Sequence, residues 1–551
     1  MPPAGPPHGR LDGRRRGALI AAAALFLVAL AGCGGGGNDG AATSSSSSAA
    51  SSSAAASSVA SSAASSVATP ARGTLVKNPP SLSSTVTAGD LLLTLNLAAN
   101  AQLRSLSGSP VCDFGVYHLD YNTVGGRNEA TTASAALMVP FGTDSRCRGP
   151  RPIVLYAHGT TTNKAYNIAD LKDAENAEGL TLAALFASQG YIVVAPNYVG
   201  YDTSTLNYSA YLNAEQQSRD MIDALAAART ALPFAGLLIT TDGGKLFVTG
   251  YSQGGYVAMA TQRAMQAAGM TVTAAAPMSG PYALAAFFDA VFNGQVDGGA
   301  PIFITLLLTG YQKAYGDIYA APTDVFEPQY AAGIEALLPT TTTRGELYNQ
   351  RKLPQYALFS ATPPDAASAS ITPATQPAAF ATVFALGFGA GNLITNSFRL
   401  SFLSDARTAP DGGFPTVTNG APTAAAKLAL RQRLAQNDLR TFTPTAPTLL
   451  CGGSGDPLVF WSNTQLMQSY WTARQPAPTA VTVLDLEAAA TTGDPYASLK
   501  GSFVTARKAV AAAAILQGAN DGGSAAVFEA YHTTLVAPFC LTAVRDFFAS
   551  K

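Results

Sequence analysis

Residues Gly250-Tyr251-Ser252-Gln253-Gly254-Gly255 decide how the rest of this chain is read. An apolar run, Lys245-Leu-Phe-Val-Thr249, leads into them, and a helix-compatible stretch from Tyr256 to Ala268 leads out. Between a strand and a helix, G-x-S-x-G makes a sharp turn that exposes the serine at the end of a sheet, the nucleophile elbow. The glycines suit such a turn, because a Cβ beside it would be crowded. This setting separates Ser252 from the many ordinary serines of a Gly- and Ser-rich chain and makes it the candidate nucleophile.

A serine hydroxyl attacks only when a base takes its proton, so a histidine must serve it. The chain has four: His8, His118, His158 and His532. His8 lies in the leader. His118 sits in the alternating segment Val116-Tyr-His-Leu-Asp-Tyr121 and reads as a strand-face residue. His158, directly after the run Pro152-Ile-Val-Leu-Tyr-Ala157, reads as a loop-shaping residue. His532 alone follows the serine, in the loop-like Ala530-Tyr-His-Thr-Thr534, and is the expected base by order and by elimination. An acid must then orient the imidazole from a position between serine and histidine. Asp456, in the glycine-rich turn after the apolar strand Pro447-Thr-Leu-Leu-Cys451, is preferred, with Asp485 in Val481-Thr-Val-Leu-Asp-Leu486 as its competitor. Asp494 and Asp521 read as solvated turn acids. Two backbone N–H groups, from Gln253 and Thr160, are expected to hold the oxyanion.

The segments His158-Gly159, Ala195-Pro-Asn-Tyr-Val-Gly200, the elbow and Asn437-Asp-Leu-Arg440 before the Asp456 strand resemble bacterial α/β-hydrolase esterases of the secretory-lipase type. The likeness runs from about Val111 to the end of the chain. It implies carboxylic-ester hydrolysis and a large helical insertion over the site. The segment His158-Gly-Thr-Thr-Thr162 departs from the HGGG form of the oxyanion loop.

Strand candidates are Val116–Tyr121, Thr132–Val139, Ile153–Ala157, Tyr191–Ala195, Lys245–Thr249, Val272–Ala276, Thr448–Cys451 and Val481–Leu486. Helix-like segments at Thr181–Ser188, Ala214–Ala231 and Tyr256–Ala268 separate the later ones. Strands alternating with helices predict a mostly parallel α/β sheet, opened by an antiparallel hairpin. The expected organisation is a core in two parts, 75–282 and 441–551. A helical cap or lid, 283–440, interrupts it between the sixth and seventh of these strands. In that insertion Ile302–Tyr315 and Ala424–Gln436 read as helices and Pro363–Pro377 as a loop. Its apolar patches (Phe287-Phe288, Ile302–Leu308, Phe380–Phe388) line a pocket or form the insertion's own core.

The N-terminus reads as an export signal over residues 1–32, with Arg10 and Arg14-Arg-Arg16 before an apolar stretch from Ala18 to Leu30. Leu30-Ala31-Gly32-Cys33 has the pattern of a bacterial lipobox, with Cys33 as the acylated residue. Gly34 after it points to the outer membrane in a Gram-negative host. An ordinary cleaved signal and an uncleaved anchor are the alternatives. Residues 33–74 form a Gly/Ser/Ala-rich linker that cannot bury a core and gives reach from the anchor. The remaining Cys112, Cys147, Cys451 and Cys540 are even in number in an oxidising compartment. Of three possible pairings, 112–147 with 451–540 is favoured over free buried thiols.

The chain carries 33 Lys+Arg against 34 Asp+Glu, and without residues 1–32 these become 29 against 33. With no basic cluster outside the leader, nucleic acid is not an expected partner. The leading expectation is a surface-anchored carboxylesterase or lipase acting on esters with an apolar acyl or alcohol part, with neither metal nor organic cofactor. A serine peptidase of the same fold is the alternative. Such peptidases usually carry a propeller or another substrate gate, and no repeat of blade length is visible. A non-catalytic binding protein on this scaffold is disfavoured by the complete Ser–Asp–His order. Acyl-chain preference and oligomeric state are not legible.

Overall fold

The computed structural model describes residues 70–173, 176–236, 238–411, 420–474 and 480–551. The signal segment, Cys33 and most of the linker therefore lie outside the described residues. A single nine-stranded sheet organises the rest, in the order β1-β2-β3-β5-β4-β6-β7-β8-β9. The strands are β1 (Ser81–Val86), β2 (Asp113–Val124), β3 (Ala130–Phe141), β4 (Gly149–Ala157), β5 (Ile192–Pro196), β6 (Thr240–Tyr251), β7 (Ala274–Met278), β8 (Thr448–Gly452) and β9 (Val481–Asp485). β1, β2 and β3 run antiparallel, with β3 joined antiparallel to β5. From β5 to β9 every pairing is parallel. Parallel strands are covered by helices on both faces, and β5, β7 and β8 are buried along their whole length. This is the α/β-hydrolase fold, with a mostly parallel sheet.

Several boundaries differ from those read in the sequence. β1 was not expected: its residues, Ser-Leu-Ser-Ser-Thr-Val, are mostly exposed and offer little apolar alternation, and it is held as an edge strand by pairing with β2. β7 starts two residues later than expected, and β6 extends from Thr240. The largest correction concerns His532. The segment expected to be a loop is a π-helical turn, Tyr531–Val536, inside a continuous helical run formed with Ser524–Ala530 and Ala537–Ala549. Glycine and proline, the usual signs of a loop, are absent from Tyr531 to Val536. Single π turns inside helices often occur where a side chain must be re-aimed.

Between β7 and β8 lies a mainly helical insertion that includes Leu284–Phe292, Ala300–Tyr315, Asn396–Thr408 and Ala429–Asn437. Its helices match the two read from the sequence to within a few residues, except that the second starts at Ala429 rather than Ala424. The Asn437–Arg440 motif fastens the insertion to the core. Asn437 Oδ1 accepts the Ala214 N–H at 2.9 Å, and Asp438 Oδ2 accepts the Ala285 N–H at 3.0 Å. Arg440 is paired with both Asp438 (2.8 Å) and Asp411 (2.9 Å), all fully buried. Removing one partner of such a group would leave an uncompensated buried charge, so the latch tolerates little change.

Candidate active site

β6 ends at Tyr251, and the helix Gln253–Ala267 starts one residue after Ser252. Between them Ser252 adopts φ 61° and ψ −123°, a strained conformation for a residue with a Cβ. The neighbouring glycines permit it. A Cβ at Gly250 would lie 2.3 Å from the Gly254 carbonyl oxygen, and one at Gly254 would lie 1.9 Å from that of Ala157. The chain can turn this sharply only because both side chains are missing.

The turn directs Ser252 Oγ toward His532 Nε2, 2.8 Å away. On the other side of the ring, Nδ1 lies 2.6 Å from Asp456 Oδ2. The second oxygen of Asp456 accepts the N–H groups of Leu458 and Val459, each at 3.0 Å, so its carboxylate is fixed before any substrate arrives. Asp456 and His532 are 1% and 5% exposed, a shielded setting in which their interaction is strong. The structure thus joins the three residues in one hydrogen-bonded chain, serine to imidazole to carboxylate.

The other residues considered from the sequence stand elsewhere. Asp485 Oδ1 accepts the N–H groups of Ser454 and Glu487, which braces the Asp456 loop from behind. Asp494 pairs with Lys500 at 2.7 Å, and Asp521 caps the helix Ser524–Ala530. His118 sits 2.6 Å from Asp202, whose carboxylate holds its pKa up. His158 is buried, stacked on Tyr198 with ring centroids 4.1 Å apart, and burial pushes its pKa down to about 4.

Gln253 is the first residue of its helix, so its N–H has no acceptor within the helix. Across the cavity, the loop after β4 is held by groups that the sequence did not single out. Glu178 accepts the Gly159 N–H with both carboxylate oxygens, at 3.0 and 3.1 Å. That N–H is therefore occupied, and the next residue, Thr160, lines the same cavity as Ser252. Tyr198 and Tyr201 donate to the carbonyls of His158 and Thr161, each at 2.9 Å. The motif Ala195–Gly200 and its neighbour Tyr201 thus brace this loop. Burial pushes the Glu178 carboxyl up to about 7. An acid in the first turn of a helix gave the only sequence signal for Glu178, and it is too common to be diagnostic.

Ser252, His532, Gln253 and Thr160 line one cavity with Phe287, Phe288 and other apolar residues of the insertion and of the Asp456 loop. Its volume is about 40 Å³, well below the roughly 150 Å³ that accommodates benzene. Of the apolar patches noted in the insertion, Phe287 and Phe288 face the cavity, whereas Phe384 packs with Phe460 and Ala374 in a separate small core. Among the described residues no group of His, Cys, Asp or Glu is arranged to hold a metal.

Both expected bridges are present. Cys112 is bonded to Cys147, and Cys451 to Cys540. The second joins β8 to the helix Ala537–Ala549.

Comparison with known proteins agrees with this class of site. The model of the prolyl oligopeptidase family matches residues 180–297, which include the elbow. No curated protein matches the chain significantly. Among solved structures, the rice cell wall degrading esterase LipA from Xanthomonas oryzae is similar, with 27% identity and a TM-score of 0.58 over 78% of this chain and 95% of that one. A second structure of that esterase aligns over 87% of this chain and 99% of that one, with 26% identity and a TM-score of 0.61. A putative hydrolase from Legionella pneumophila shares the fold, at 18% identity and a TM-score of 0.56 over 85% of this chain and 96% of that one. The chain is a serine hydrolase of the α/β-hydrolase class.

Proposed function

We propose that this protein is a carboxylic-ester hydrolase that works through an acyl-enzyme on Ser252. Ser252 Oγ attacks the ester carbonyl carbon while His532 Nε2 takes its proton. Asp456 keeps the other ring nitrogen protonated and stabilises the imidazolium. The N–H groups of Gln253 and Thr160 hold the negative oxygen of the tetrahedral intermediate. His532 returns the proton to the departing alcohol, then activates a water that releases the acid. No cofactor is needed for these steps.

The observation that carries this reading is the hydrogen-bonded chain Ser252–His532–Asp456 opening onto an apolar cavity. Likeness to an esterase along nearly that enzyme's whole length adds support. The prolyl oligopeptidase match favours a second reading, a peptidase, although it covers only residues 180–297. The small cavity points to short acyl groups. Initial rates on p-nitrophenyl esters from acetate to palmitate, beside peptide anilides, test both readings. Turnover highest on acetate and butyrate, with anilides inert, is expected; cleavage of anilides alone would replace the ester reading with the peptidase one.

We also propose export and anchoring by a lipid on Cys33, with the linker giving the enzyme reach from the membrane. The lipobox pattern and the two disulfides support this. Cys33→Ser is expected to move the protein from the membrane to the soluble fraction with its specific activity kept. A variant that stays on the membrane would rule out the lipid anchor.

A further inference from the structure

The cavity beside Ser252 is apolar along the insertion, where Phe287, Phe288, Val291 and Phe303 line it, yet it contains one further acid. Asp297, in the segment linking the helices Leu284–Phe292 and Ala300–Tyr315, is 5% exposed. Its Oδ1 accepts the Gly299 N–H at 2.9 Å, and no Lys or Arg pairs with it among the described residues. A buried carboxylate held only by backbone N–H groups and paired with no Lys or Arg, in the cavity of Ser252, offers an acceptor to a ligand bound there.

We propose that Asp297 reads a hydroxyl on the acyl part of the substrate, making esters of short hydroxy acids the preferred class. This rests on the ester-hydrolase reading above. A hydroxyl is both donor and acceptor, so it can donate to the Asp297 carboxylate or accept from its protonated form. An ammonium group has no lone pair with which to accept from the protonated form and is far costlier to bring out of water. Burial raises the Asp297 carboxyl to about 7, so near neutral pH it is present in both protonation states. A hydroxyl can bond to either form. A plain acyl chain would fill the cavity without offering the carboxylate a partner, and this penalty discriminates against it.

The test compares kcat/KM for methyl butanoate, methyl 2-hydroxybutanoate, methyl 3-hydroxybutanoate and methyl 3-aminobutanoate, followed by acid release. The wild type should favour one hydroxy ester over methyl butanoate by about 10- to 100-fold, as expected for a hydrogen bond to a charged group. In Asp297→Leu that ratio should fall to near one. In the near-isosteric Asp297→Asn, which keeps an acceptor, it should fall only in part; this variant also serves if the leucine does not fold. A wild type indifferent to the hydroxyl, a preference for the amino ester, or an equal loss on all esters in the variants would overturn the proposal. These outcomes leave ester hydrolysis itself standing. Absence of acid release from every ester by the wild type would instead remove the reading on which the proposal rests.

Discussion

The hydroxyl of Tyr251, the residue just before the nucleophile, donates a 2.5 Å hydrogen bond to the backbone carbonyl of His532. It also lies 3.5 Å from Nδ1 of the same residue. The end of β6 thus carries the serine and also fixes the π-helical turn that presents the base. A side chain on such a turn keeps its aim only if the turn is held, because its backbone geometry is rarely stable alone.

Tyr251→Phe removes this tie while keeping the ring. One neutral hydrogen bond is worth about 1 kcal/mol, but small displacements of a base are costly to catalysis. The expected result is a fall of about tenfold in kcat, with KM little changed and a melting temperature within a few degrees of wild type. Unaltered kcat would show that the π turn holds His532 without help.

Ser252→Ala and His532→Ala should each abolish nearly all esterase activity without unfolding the protein. Members of a triad act as a unit, so the double variant should be barely worse than either single one. Partly active single variants with additive losses would argue against the assignment.

Asp456→Asn should be severe, on the order of 10⁴-fold in kcat, because the carboxamide does not select the required tautomer. Asp485→Asn should cost much less, since Asp485 braces the backbone of Ser454 and does not touch the imidazole. Comparing kcat of the two variants checks the choice of acid; a larger loss from Asp485→Asn would reverse it.

Glu178 predicts a pH effect on stability. Its carboxyl titrates at about 7 in the fold, against about 4.3 in an unfolded chain. Between these values the unfolded chain releases a proton that the folded chain keeps, so this group makes stability fall as pH rises. Glu178→Gln has no such proton and still offers an acceptor to Gly159. Its melting temperature relative to wild type should therefore be higher at pH 8 than at pH 5. Burial likewise raises Asp220 and Asp297 to about 7, so only the difference between variant and wild type is diagnostic. A constant difference across pH would refute the shift at Glu178.

The Cys451–Cys540 bridge lies close to two catalytic segments, five positions before Asp456 and eight after His532. Its removal by a Cys451→Ser/Cys540→Ser pair should lower both melting temperature and turnover. Breaking Cys112–Cys147, near the β2–β3 hairpin, should lower mainly the melting temperature. Each bridge contributes about 2–4 kcal/mol. Calorimetry and ester turnover on both pairs of variants separate the two roles; equal loss of turnover from both would deny the first bridge its special position.

The sequence by itself determined the elements whose signals are local or ordinal. The elbow is legible because only glycine fits at 250 and 254, and the base because one histidine follows the serine. The central parallel strands β5, β7 and β8 read clearly since burial on both faces makes each a nearly continuous apolar run. Asp456 came with less force, because a glycine-rich turn after a strand is a weak sign and Asp485 lies near a strand end as well. Tertiary structure decided what depends on partners distant in the chain. β1 exists by pairing with β2, and His532 is held on a helical turn by Tyr251, 281 residues away. Thr160 lines the cavity on a loop held by Glu178, and Asp297 reaches the cavity from an insertion whose path no local pattern records. Local propensity acts over a few residues, whereas a site is assembled by burial and hydrogen bonding between segments that only the fold brings together.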